Sequence, residues 1–161
     1  MRIGYGTSVT VPSQQERWFS EMRAGRTFGR GAIIAGVAAT FAQCQLFNPV
    51  ASGITVLVYR AAGSSVAADT MQVRQHNTAL ATLIGSGFNL LSGAAASVAE
   101  IRSSNPAAQD GTIIGPQQVL ATTTLSLGEV WMTELGPGEG LLVANNTLNT
   151  TTVVNFFWNE A

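Results

Sequence analysis

ELGPGEGLLVANNTLNTTTVVNFFWNE, residues 134–160, decides the fold class. Near its end Thr152, Val154, Phe156 and Trp158 fall on one face, and Val153, Asn155, Phe157 and Asn159 on the other. A period of two in β-branched and aromatic residues fits a pleated strand with one face in a core, and not a helix. The run LLVAN ahead of it reads as a shorter strand, entered through the Gly/Pro loop 136–140. Between the two strands lie Asn145, Asn146, Thr147, Leu148 and Asn149. Because Asn tolerates left-handed backbone, the two strands are expected to form a hairpin.

Working outward from this stretch, most of the chain has the same character. Residues 32–46 read as one strand in which Ile33, Ala35, Val37, Ala39 and Phe41 alternate with small residues. Asn48-Pro49 and Ser52-Gly53 then make a turn, and residues 54–59 are apolar on both faces, as for a strand covered on two sides. Residues 61–68 read as a small-residue loop, 71–74 and 97–102 as short strands, and 105–116 as a polar loop. The stretch 78–91 fits either a helical turn or a strand, and Gly85 and Gly87 argue against a long helix. Residues 117–127 alternate as a single strand, and 129–135 form another around Trp131. Seven to nine short strands separated by turn signals predict an all-β antiparallel sandwich or jelly roll over residues 31–161.

Residues 1–30 differ. Residues 1–11 read as an extended arm, and Ser13 with Glu16 forms a capping box that opens a helix over about 14–24. Trp18, Phe19 and Met22 share one side of that helix, Arg17 and Glu21 sit one turn apart, and Gly25 ends it. So short a helix is marginal in water by itself, so its aromatic face requires a partner surface.

The chain of 161 residues fits one domain. Only 11% of it is charged, which leaves a surface easier to bury against another subunit than to keep in solution alone. All eight basic residues are Arg, whose planar fork suits contacts that become buried. Arg2, Arg17, Arg23, Arg26 and Arg30, beside Glu16 and Glu21, give residues 1–30 a net +3, and the remainder carries −4. A nucleic-acid binder usually shows a strongly basic domain, so an arm that docks on an acidic neighbour fits better than direct contact with nucleic acid. The apolar run 31–43 is too short for a membrane span and too far into the chain for a secretion signal, so neither is expected.

Chemistry-bearing patterns are sparse. One cysteine, Cys44, and one histidine, His76, allow neither an internal disulfide nor a Cys/His metal cage. His76 has Asp69 as its only nearby acid in sequence, and no nucleophile beside it. The loop Gly136-Pro137-Gly138-Glu139-Gly140 is followed by a strand rather than a helix, and Glu139 would repel phosphate. Glu129, Glu134 and Glu139 lie near strand ends, where a carboxylate rim could hold Ca²⁺ or receive the arginine-rich arm. The expectation is a protein that is not an enzyme and carries no cofactor or metal.

LFNPVASGITVLVYR (residues 46–60) and LGPGEGLLVANNTLNTTTVVNFFWNE (residues 135–160) together resemble a group of small structural proteins of tailed bacteriophages. In that group an LFNP-x-x-SG turn precedes a C-terminal L-x-PG-x-GL strand and a V-x-F-x-W-x-E strand. The resemblance implies a virion component, assembled in the host cytoplasm, and transfers no individual functional residue. The expected role is a head decoration or cement protein that binds the major capsid protein or other virion subunits and itself forms a homo-oligomer. Arg17, Trp18, Phe19, Met22, Arg23, Arg26 and Arg30 are the expected partner-binding residues of the arm. The alternative is a tail or fibre component that binds a receptor or glycan, with Tyr59 or Trp131 stacking on a sugar.

Overall fold

The computed structural model of the protein describes residues 14–114, 118–120, 125–127 and 133–161. Helix α1 (Gln14–Arg23) is followed by β1 (Thr27–Ile34), β2 (Gln43–Phe47), β3 (Val56–Ser65), β4 (Asp69–Gln75), β5 (Thr82–Ser86), β6 (Phe88–Asn89) and β7 (Glu100–Ser104). Then come β8 (Thr112–Ile113), β9 (Gln118–Leu120), β10 (Leu125–Leu127), β11 (Thr133–Leu135), β12 (Gly140–Asn145) and β13 (Thr152–Glu160). Two antiparallel sheets pack face to face as an all-β sandwich. One runs β10-β3-β13-β1-β6 with β11 also on β3, and the other runs β5-β7-β2-β12-β4-β8 with β9 also on β4.

The core follows the alternation of β13. Thr152, Val154, Phe156 and Trp158 are all fully buried, and they meet Phe28, Ala32 and Ile34 of β1 and Val56, Val58 and Ala61 of β3. Cys44, Leu46, Met71, Val73, Ile101, Leu141 and Val143 of the second sheet close the layer. Phe28 stacks on Trp158 with ring centroids 6.2 Å apart. The second sheet is covered on its outer face as well, so every residue of β12 is buried. Polar residues there are satisfied by loops. Gln45 donates to the carbonyls of His76 and Thr78 and accepts from Leu80 N, while Arg74 donates to the carbonyls of Asp110 and Gly111.

Several expected strands divide differently. The last two do not form a hairpin: β12 pairs with β2 and β4, whereas β13 pairs with β1 and β3 in the opposite sheet. The Asn/Thr segment is a crossover between sheets, and its asparagines do more than turn the chain. Asn145 Oδ1 accepts from Ala42 N, Asn145 Nδ2 donates to Thr150 O, and Asn149, at φ 63°, accepts from Ala39 N through Oδ1. They tie this crossover to the neighbouring one between β1 and β2. That first crossover divides residues 32–46, which are two strands in different sheets. Residues 117–127 likewise contribute β9 to one sheet and β10 to the other.

Residues 61–65 are not loop but the second half of β3. Their small size has a packing cause, since a Cβ at Gly63 would come 2.5 Å from Met71 Cε. Residues 78–91 resolve as β5 and β6. The sandwich begins at Thr27, four residues before the expected boundary, because β1 pairs with β13 from Thr27 onward.

Helix α1 stops where the glycine signal placed it. Gly25, at φ 71°, donates to Met22 O, and Arg26 N donates to Glu21 O, the paired bonds of a Schellman stop. Residues 1–13, including the capping serine, and Trp131 with Glu129 lie outside the described residues.

Candidate partner-binding surface

The segments 46–60 and 135–160 meet in space. Asn48 N donates to Glu139 O and Gly138 N donates to Asn48 O, so the LFNP turn and the PGEG loop form one unit. The buried Asn48 side chain donates to Ile54 O and Leu135 O, and Glu139 Oε2 accepts from Gly136 N within its own loop. These residues shape the fold, and Glu139 is engaged in its own turn. Glu134 stands exposed on β11. No group of three His, Cys, Asp or Glu side chains that could hold a metal ion occurs among the described residues.

The arm residues spread over two settings. On α1, Phe19 is 44% exposed, Arg23 is exposed and Met22 is half-buried. Phe19 and Arg23 line a shallow hollow together with Glu16 and Ser20. The side chains of Arg17 and Trp18 lie outside the described residues. Arg26 pairs with Glu21 at 2.6 Å, and that hydrogen bond and charge push its pKa upward.

Arg30 belongs to the sandwich. Its Nη1 donates to Ser86 O at 2.5 Å and its Nη2 to Ile84 O at 3.1 Å, and the guanidinium lies 4.9 Å from the Phe88 ring centroid. It clips the β5–β6 strip to β1. Phe19, Met22 and Arg23 thus share the helix, while Arg30 serves the body.

Beside Arg30 the first sheet has an edge that no described strand covers along its whole length. The β1–β6 ladder covers only Phe28 and Gly29, and β1 continues to Ile34. A groove of about 490 Å³ lies between this edge and the second sheet, lined by Ile33, Ala35, Val37, Ile84 and Asn105 among others. Ile33 is 73% exposed. In this strand Ala32 and Ile34 point into the core, and Ile33, Ala35 and Val37, the residues that alternate with small ones, are exposed. Three consecutive apolar residues hide the parity. The signal that would have revealed it is Gly29 and Gly31, which leave the odd face without side chains.

A second hollow, of about 380 Å³, lies where α1 leaves the body, lined by Glu21, Arg26, Leu57, Tyr59, Asn159 and others. Asn159 Nδ2 donates to Tyr59 Oη at 2.6 Å at its floor. Among the described residues no helix is long and apolar enough to cross a membrane.

Comparison of the chain with protein families, with curated proteins and with solved structures finds no match.

Proposed function

We propose that the protein is a non-enzymatic virion component of a tailed bacteriophage, a decoration or cement protein that binds the head and joins neighbouring subunits. The observation that carries this reading is a helix standing on the sandwich with Phe19 and Arg23 presented outward on a chain that is only 11% charged. Phe19 offers apolar area worth about 1.5–3 kcal/mol on full burial, before ordering costs. Arg23 beside it suits a carboxylate on the shell.

The strand order also supports the reading. β1-β13-β3-β10 facing β2-β12-β4-β9, with a crossover between sheets at β1–β2, β2–β3, β3–β4 and β12–β13, is the order two interlocked Greek keys produce. We read it as a jelly roll, an architecture common in viral shells and in lectins. The partners in this reading are the major capsid protein and sister copies, the site of action is the virion, and neither nucleic acid nor membrane is contacted directly.

The test uses heads that lack the protein. Full-length protein should co-sediment with them, and the full-length variants Phe19→Ser and Arg23→Glu should each weaken binding at least tenfold with unchanged melting. Equal binding by both variants would overturn the role given to the helix, and no binding by the native chain would overturn the head location.

The hollow at Tyr59 favours a second reading, a receptor- or glycan-binding tail part. An aromatic ring beside Arg26 and Asn159 is the chemistry a sugar ring requires. A glycan array separates the two, because signal lost on Tyr59→Ala would support the tail reading.

A further inference from the structure

We propose that the open edge of β1 is a self-pairing site, at which β1 of a second copy adds antiparallel across a two-fold axis through Ala32. The backbone directions along β1 are fixed by its hydrogen-bonding partners. Thr27 O accepts from Leu90 N on the β6 side, and Ala35 O accepts from Asn105 Nδ2 on the same side. Arg26 O and Gly36 N face the β13 side instead, bonding Glu160 N and Thr151 Oγ1. Odd residues therefore direct their N–H and C=O groups away from β13.

Gly29 is covered by β6 and Ala35 by Asn105, which leaves Gly31 and Ile33 between them. Their outward backbone groups meet no hydrogen-bonding partner among the described residues. Such an edge is a template for a further strand unless it is blocked.

A second copy of the same edge matches it group for group. With the axis at Ala32, Gly31 of one copy faces Ile33 of the other and the two exchange both backbone bonds, and the symmetry repeats the exchange on the other side of the axis. No other two-fold centre uses both free residues. The side-chain fit agrees, because the exposed Ile33 comes to lie across from a glycine. That glycine is fixed by its own fold, since a Cβ at Gly31 would overlap Asn155 Oδ1.

The edge also suits itself electrostatically. No charged residue occurs from Gly31 to Val37, so two copies bring no like charges together. Arg30, the nearest cation, is turned inward onto the carbonyls of Ser86 and Ile84. Exposed Val37, which lines the groove beside the strand, adds apolar area to what the backbone bonds supply. Closed two-fold pairing is the commonest oligomer symmetry. The pairing does not depend on which larger particle the protein joins.

The full chain tests it. Sedimentation velocity over a hundredfold range of micromolar concentration should show a concentration-dependent dimer, and Ile33→Asp should weaken it at least tenfold. Misfolding of that variant would also abolish a dimer, so Ala32→Cys gives an independent reading. On the axis, in a non-hydrogen-bonded pair, the two introduced thiols are close enough to bridge, so mild oxidation should yield a covalent dimer. Ser64→Cys, away from this edge, should not, and native Cys44 is fully buried. A monomer at every concentration, or a dimer that is indifferent to Ile33→Asp and not bridged in the Ala32→Cys variant, overturns the proposal. A dimer that the Ala32→Cys variant does not bridge, and that is lost on removal of residues 1–13, overturns it too and gives the contact to the neighbour's N-terminal segment.

Discussion

Replacing Gly87 with alanine should strike the centre of the sandwich from its side. Gly87 links β5 in one sheet to β6 in the other, and a Cβ there would overlap Cζ2 and Cη2 of Trp158 and sit 3.2 Å from Ser97 Cβ. Trp158 is fully buried and packed against Phe28, so it has no free space to enter. The backbone at Gly87 is not left-handed, so the whole penalty is steric. Overpacking of this kind costs about 3 kcal/mol. In a domain of this size that lowers the melting temperature by about 6–12 °C.

Trp158→Phe removes both overlapping atoms along with the Nε1 bond to Glu160, and alone it should cost about 2 kcal/mol. Combined with Gly87→Ala it should relieve the clash, so the double variant should be more stable than the sum of the two losses by about 1.5 kcal/mol or more. Urea titrations followed by circular dichroism measure all four corners of the cycle. Strict additivity, or a Gly87→Ala variant within about 0.5 kcal/mol of the native chain, would refute the steric account.

Asn48→Ala should cost about 2–3 kcal/mol by leaving the half-buried carbonyl of Ile54 and the buried carbonyl of Leu135 without their donor, measured by urea denaturation. Glu160→Ala should loosen the segment ahead of β7, since that carboxylate accepts from Ser97 Oγ, Val98 N and Ala99 N, and hydrogen exchange at Val98 and Ala99 should accelerate while β12 stays protected. Burial pushes the Cys44 thiol up to about 12. It is therefore inert to thiol reagents at pH 8 in the folded protein and reactive after unfolding. Because its folded pKa lies above its unfolded one, its contribution is complete below about pH 9 and falls by about 1.4 kcal/mol per pH unit above that, until the folded value is reached. Cys44→Ala should remove that part of the alkaline loss in a pH series of melting curves.

What the amino-acid pattern disclosed was the face of each strand with alternating contrast. β13 is the clear case, because aromatic and β-branched residues on one side oppose Asn155 on the other, and burial follows that division from Thr152 to Trp158. Where contrast is absent the reading fails. Ala32, Ile33 and Ile34 are all apolar, so nothing local says which points inward, and the parity comes from Phe28 packing on Trp158 across the sheet. Sheet membership was hidden for a different reason. The segment between β12 and β13 has the composition of a turn whether its strands are neighbours or lie in opposite layers, and only the bonds from Asn145 and Asn149 to the other crossover decide it.

The arm was legible as a helix with a glycine stop, because Schellman geometry is local. That Arg30 clips β5 to β1, and so differs from Phe19 and Arg23, depends on the carbonyls of Ile84 and Ser86, far away in sequence. The open edge at Gly31 and Ile33 was equally out of reach, since an edge is defined by which strands fail to arrive.

The stapled crossovers place β12 and β13 in the middle of their respective sheets. During synthesis, β1 and β3 must wait for β13, and β2 and β4 for β12, both of which are made later than β11. Until β12 has emerged the second layer cannot close, and until β13 has emerged the first cannot, so the nascent chain exposes unpaired strands on both sides of a gap. Folding of this sandwich therefore depends on joining strands distant in sequence, and non-local pairing of that kind is slow.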